Sequence, residues 1–175
     1  MKQQSDLLMR LPDLLNLPPV SVSYPVRRCR LDDAELLATL LDSAFEEHWT
    51  SKMACDRLLQ ADDVESVFIM TDNLQPIATA SCRLMPDAFP GSGYVHWVAV
   101  TPAYQGCGVG RAITLQALHR FYELGCQDAV LETQDHRLAA IRTYLKLGFL
   151  PEMRDETHPE RWSKIQQELI AWSRQ

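Results

Sequence analysis

Hydrophobic and polar positions change period several times along this chain, and each change marks an element. Leu36, Leu37, Leu40, Leu41 and Ala44 fall on one stripe, the i, i+3, i+4 spacing of an amphipathic helix laid on a core. Asp32 stands before that run with Glu35 three residues on, the pattern of an N-cap with a capping box. A second helix is expected over 51–60. The runs 66–71 and 77–83 predict two antiparallel strands that turn at Asp72-Asn73, a turn pair. A Pro/Gly loop over 85–93 leads into an apolar strand, 94–100. Val109, Ile113, Ala117 and Phe121 then recur every four residues through a helix over 108–124, which Gly125 closes. A buried strand at 129–133, a helix at 138–147 ended by Gly148, and an amphipathic helix at 159–173 complete the domain. Upstream, 22–30 reads as the first strand. Residues 1–21 carry Pro12, Pro18 and Pro19, which break any long helix, so they read as a leader strapped over one domain of residues 22–175. No internal repeat is visible. The order β-α-α-β-β-β-α-β-α predicts an α/β domain.

The densest chemical signal is the segment Trp97-Val98-Ala99-Val100-Thr101-Pro102-Ala103-Tyr104-Gln105-Gly106-Cys107-Gly108-Val109-Gly110-Arg111. A strand runs into a turn, and three glycines at alternating positions open the long helix. Without side chains, backbone N–H groups approach an anion closely, and the helix N-terminus adds unpaired donors and the positive end of its dipole. This is a cradle for a phosphate-bearing ligand. A nucleotide-hydrolase loop needs Gly-x-x-x-x-Gly-Lys-Ser/Thr, and no lysine follows Gly110. The dinucleotide fingerprint Gly-x-Gly-x-x-Gly fails because the third glycine comes one residue early.

What stands here, Gln105-x-x-Gly108-x-Gly110, resembles the pyrophosphate loop of the Gcn5-related N-acetyltransferase (GNAT) family, which binds acetyl-coenzyme A. Downstream, Ala140-x-x-x-Tyr144-x-x-x-Gly148-Phe149 is similar to that family's second hallmark. One helix and one strand separate the two, and the resemblance spans roughly residues 22–152. Gly93–Val100 and His158-Pro159-Glu160-Arg161-Trp162 resemble the branch that includes mycothiol synthase and uncharacterised bacterial relatives. Mycothiol synthase itself resembles two such domains in tandem, so its reaction is not expected of one domain. The resemblance implies the acyl-CoA N-acyltransferase (GNAT) fold. Its central sheet is mixed but mostly antiparallel, with splayed central strands flanked by helices, and the pantetheine arm pairs with a free strand edge in the gap.

It also implies roles. Val98, Ala99 and Val100 would face the pantetheine arm, and Gln105, Gly106, Cys107, Gly108, Val109, Gly110 and Arg111 would hold the pyrophosphate. Ala140 and Arg137 complete the cofactor side. Arg137 stands where many relatives have Asn and is expected to reach phosphate or substrate. Tyr144 takes the place of the phenol that protonates the leaving thiolate, a group that a resting pKa of about 10 keeps protonated. Relatives often place a Glu on the central strand as base, and Tyr94 stands there instead. Strand parity puts Tyr94, His96, Val98 and Val100 on one face, which makes His96 the best local substitute, with Glu132 on the next strand in reserve. Trp49, Trp97 and Trp162 are aromatic; among them Trp49 is the candidate to line an acceptor pocket. Arg27, Arg28 and Arg30 read as a solvated strand end or as partners of a 3′-phosphate.

Composition adds limits. The chain has 175 residues and a formal net charge of −6 with both signs mixed, which argues against a nucleic-acid surface. No apolar run reaches the roughly 18 residues that span a membrane, and the start lacks a secretory apolar core. Five scattered cysteines without a Cys-x-x-Cys pair suit reduced thiols in the cytoplasm, not a disulfide frame or a metal site. Cys107 reads as a neutral loop filler. The expectation is an enzyme without a metal that moves acetyl from acetyl-coenzyme A to a primary amine on a small molecule. A homodimer, a coenzyme-A-binding sensor and a protein acetyltransferase are left open.

Overall fold

The computed structural model describes residues 5–45 and 47–173. A single seven-stranded sheet has helices on both faces. In chain order the elements are β1 (Leu7–Leu11), β2 (Val26–Arg28), α1 (Ala34–Ala44), α2 (Ser51–Ala54), β3 (Val64–Asp72), β4 (Gln75–Leu84), β5 (Ser92–Val100), α3 (Val109–Glu123), β6 (Asp128–Thr133), α4 (Leu138–Leu147), β7 (Leu150–Glu152) and α5 (His158–Trp172). A π-helical turn, Cys55–Leu59, extends α2. The strand order is β2-β3-β4-β5-β6-β1-β7. Among the described residues β5 and β6 run parallel, and the other neighbouring pairs are antiparallel.

The N-terminal segment corrects the leader expected over 1–21. Its residues Leu7–Leu11 form β1, which pairs with β6 on one side and β7 on the other. Leu7, Leu8 and Met9 are almost completely buried. Fully burying side chains of this size stabilises by roughly 1.5–3 kcal/mol each. Three of them together approach the lower end of a domain's net stability, about 5–15 kcal/mol, so this segment belongs to the core. A strand covered on both faces shows a continuous apolar run and no alternation, which is why its period gave no strand signal. From β1 the chain crosses the α3 face, where Leu14 is buried and Leu17, Val20, Val22 and Tyr24 pack on the same core, and reaches β2 at the opposite edge.

The strand expected over 22–30 is shorter, Val26–Arg28. The start of α1 also differs. Asp33, not Asp32, does the work: its carboxylate accepts from the Arg30 amide at 2.8 Å and from both terminal nitrogens of Arg27 at 2.6 Å. A 3₁₀ turn over Leu31–Asp33 shifts the helix start by one residue beyond the expected cap.

Two apolar layers sandwich the sheet. One gathers α3, α4 and α5 through Ile113, Leu118, Phe121, Ile141, Trp162 and Ile165. The other gathers α1 and α2 through Leu37, Leu40, Leu41, Ala54 and Leu58 against Val67 and Ala99. Helix α3 lies very close to β5: a Cβ on Gly93 would sit 2.1 Å from the Phe121 ring. That close approach, required by glycine, fixes the helix above the strand it follows.

Candidate active site

Strands β5 and β6 hydrogen-bond only from Ser92 to Val95, opposite Asp128 to Leu131. Beyond that point β5 stays with β4 as far as Val100, while β6 stays with β1. The two halves of the sheet therefore part, and the β5 edge from Trp97 to Val100 faces a gap. A bulge starts the parting: Trp97 and Val98 stand opposite Ala80 alone, and Trp97 has φ +46. A tryptophan in the left-handed region is a strained residue, and an inserted residue bends a strand.

The bulge also overturns the strand parity expected for β5. Tyr94 packs with Leu8, Phe89 and Val130 on the α1/α2 side of the sheet, and His96 touches Tyr94 and Trp97 there. Val98 and Val100 pack on the opposite, α3 side. The extra residue flips everything after it. Ala99 faces the α1/α2 layer.

On the α3 side, residues Gln105–Gly108 are exposed. Gly106 and Gly108 have φ +78 and +80, and a Cβ on either would meet nothing within 4 Å. Gly108 is the N-cap of α3. The first helical bond runs from the Ala112 amide to the Gly108 carbonyl, so the amides of Gly106, Gly108, Val109, Gly110 and Arg111 have no backbone partner among the described residues. Five free donors on an exposed loop at a helix N-terminus fit an anion, and the residues present fit the diphosphate of coenzyme A. Tyr104 braces the loop by donating to Asp72 at 2.7 Å. The Cys107 thiol is exposed.

Tyr144, one helical turn beyond Ala140 on α4, is buried beside Phe149. Burial pushes its phenol up to about 12, and the nearby charge of Arg137 works against that rise. The group keeps its proton across the neutral range.

On the α1/α2 side, the Tyr94 hydroxyl donates to Glu132 Oε2 at 2.7 Å. The Tyr94 ring is buried while Glu132 is exposed. The departure at Tyr94 and the reserve residue are thus one unit, with the carboxylate carried by the neighbouring strand. Burial first, then this carboxylate, raises the Tyr94 phenol, so it stays a donor. Arg83, anchored on Asp63, lies 6.0 Å from the Tyr94 ring centroid.

His96 does not fit the role of base. Its Nε2 faces Arg83 at 3.5 Å, and its Nδ1 is buried without a partner. Burial and then the Arg83 charge lower its pKa to about 3, too weak to take a proton from an ammonium group. Stability carries the same sign. Between pH 6.5 and 3 an unfolded histidine binds a proton that the folded one refuses, so stability present above pH 6.5 is lost as pH falls. Each unit of that window is worth up to about 1.4 kcal/mol. His96→Gln is expected to flatten the stability–pH curve between pH 6.5 and 4.5, measured by urea unfolding; an unchanged slope refutes the assignment.

Trp49 also moves. It is 3% exposed and packs edge-on behind Trp97, with ring centroids 4.7 Å apart. It backs the gap without lining it. Phe45, edge-on to Trp97 at 4.9 Å, and Trp97 itself form the aromatic wall, which the sequence reading missed at Phe45. Trp162 is core, 2% exposed. Arg27 is held by Asp33, and Arg28 by Glu65, which favours the strand-end reading over a 3′-phosphate. In the His158–Trp162 run, buried His158 pairs with Asp155 and Arg161 grips Asp135 through Nε and Nη2. That run ties α5 to the loop between β6 and α4. Among the described residues no group of three or more His, Cys, Asp or Glu side chains is arranged to hold a metal ion, and no helix is long and apolar enough to cross a membrane.

The profile described as Acetyltransferase (GNAT) family covers residues 34–149. The chain belongs to the GNAT acetyltransferase family. Among GNAT relatives, the mycothiol acetyltransferase of Nocardia farcinica is 36% identical over 129 residues, covering 69% of this chain and 42% of that protein. The mycothiol acetyltransferase of Mycobacterium sp. (strain MCS) is 34% identical over 162 residues, covering 82% and 51%. The chain spans about half the length of these curated relatives or less. A solved structure, AAC(6')-Iy in complex with the bisubstrate analogue CoA-S-monomethyl-acetylneamine, superposes with a TM-score of 0.65 at 20% identity. It covers 77% of this chain and 95% of that one, a likeness of fold.

Proposed function

We propose that this chain moves the acetyl group of acetyl-coenzyme A to a primary amine of a small molecule, by direct attack with both bound. The observation that carries this reading is the gap itself. It opens beside the free amides and Tyr144 on the α3 side and beside the Tyr94–Glu132 pair on the other, so a thioester in it meets a different proton carrier, Tyr144 or Glu132, from each face. Acetyl-coenzyme A supplies an acyl group activated on sulfur. The amides from Gly106 to Arg111 hold its diphosphate, and the β5 edge at Val98–Val100 pairs with the amides of its arm. Glu132 accepts a proton from the amine as the C–N bond forms. Tyr144 gives a proton to the sulfur as the C–S bond breaks, and both groups re-equilibrate with solvent.

The test is incubation with acetyl-coenzyme A and a panel of amines, reading free thiol and acetylated product. Turnover of at least one amine is expected, with thiol and product in equal amounts. Binding of coenzyme A without turnover on any amine rejects the reading. Tyr144→Phe is expected to lower kcat at least tenfold while Kd for coenzyme A stays within twofold, since the phenol serves the leaving group and not the diphosphate. Full turnover in that variant removes Tyr144 as the acid.

A further inference from the structure

We infer that Arg137 reads a carboxylate on the acceptor, so that the favoured substrates are amines that also carry an acid group; this rests on the acetyl-transfer reading of the same site. Arg137 stands at the N-cap of α4, at the end of the connection from β6. Its guanidinium lies 4.9 Å from the centroid of the Phe45 ring, and Phe45 follows α1 on the opposite bank of the gap. The arginine therefore spans the opening.

Stacking on a ring occupies the face of a guanidinium and leaves the N–H groups at its edge free for a bidentate partner. Among the described residues Arg137 takes part in no ion pair. The acid nearest along the chain, Asp135, is already committed to Arg161. Among the described residues, then, no carboxylate is paired with this cation. It is also poorly placed for the diphosphate. Phe45 packs with the α1/α2 layer, whereas the bared amides belong to the N-terminus of α3, on the other side of the sheet.

The same bank ends in opposite charges: Glu132 with its phenol at one point, Arg137 five residues later. Between them the far wall is aromatic, Phe45 and Trp97. An amine that meets Glu132, an apolar or aromatic body, and a carboxylate that meets Arg137 complement this arrangement in sign and order.

The experiment uses pairs of amines that differ only by a carboxylate: tyrosine and tyramine, phenylalanine and phenethylamine, lysine and cadaverine. The wild-type chain is expected to favour the acid-bearing member of at least one pair tenfold or more in kcat/KM. Arg137→Gln is expected to abolish that preference by raising KM for the acid-bearing amine tenfold or more, with Kd for coenzyme A held within twofold. Equal ratios in wild type and variant overturn the inference, as does loss of coenzyme A affinity in the variant, which would assign Arg137 to the cofactor. If no amine is turned over at all, the acetyl-transfer reading fails first. Calorimetry of the same pairs on the coenzyme A complex then tests Arg137 separately: tighter binding of the acid-bearing member that Arg137→Gln removes supports it, and absence of that difference overturns it.

Discussion

Gly108→Glu is expected to abolish coenzyme A binding while the fold stands. Gly108 has φ +80, and no heavy atom lies within 4 Å of the position its Cβ would take. A side chain there strains the backbone by about 1–3 kcal/mol but strikes nothing, so a cooperative unfolding transition should survive a few degrees lower. Binding suffers for a separate reason. The new carboxylate would stand at the N-cap of α3, where it competes for the same free amides and repels the diphosphate. Two unit charges 4 Å apart interact by about 4 kcal/mol at an effective dielectric of 20, which corresponds to roughly a thousandfold in Kd. Gly108→Ala shares the backbone strain without the charge and is expected to lose tenfold or less. Titration calorimetry with coenzyme A checks both variants. A glutamate variant whose Kd stays within tenfold of wild type would mean that this loop does not hold the diphosphate.

The contrast between that loop and the rest of the site explains what the sequence could reveal. The loop is legible because its chemistry is local: a strand, a turn, alternating glycines and a helix are contiguous, and missing side chains are visible as letters. The helices α3 and α4 were legible for the same reason, since their apolar stripes repeat over ten residues or more. Strand β1 was not, because its four buried residues, Leu7, Leu8, Met9 and Leu11, lie on both faces and carry no period. Strand β7 has only three residues. The parity expected for β5 failed at Trp97, because nothing in the letters announces a bulge built from a non-glycine residue with positive φ. Glu132 and Tyr94 are 38 residues apart, and only the parallel register of β5 and β6 brings their side chains onto one face. Phe45 and Arg137 meet across a gap that exists only once both halves of the sheet are assembled. Sequence reading therefore reached the bared loop better than the bank across the gap.

The identity of the base turns on that register, and Glu132→Gln gives the second large effect. Glutamine keeps the volume of Glu132 and can still accept from the Tyr94 hydroxyl, now 2.7 Å from the carboxylate, so the geometry is conserved while the basic oxygen is lost. Positioned proton transfer contributes about 10²–10⁴-fold, and kcat/KM for the preferred amine is expected to fall by that factor with Kd for coenzyme A unchanged. Tyr94→Phe leaves the carboxylate in place but frees its orientation, so a smaller loss, about tenfold, is expected. His96→Gln should cost less than either, since His96 meets Arg83 and carries a strongly depressed pKa. The ranking decides between two mechanisms that the letters alone left open. A histidine variant more damaged than the glutamine one would return the role to β5 itself. With the expected order, the carboxylate has passed to the adjacent strand, and the phenol in its former position serves to hold it there.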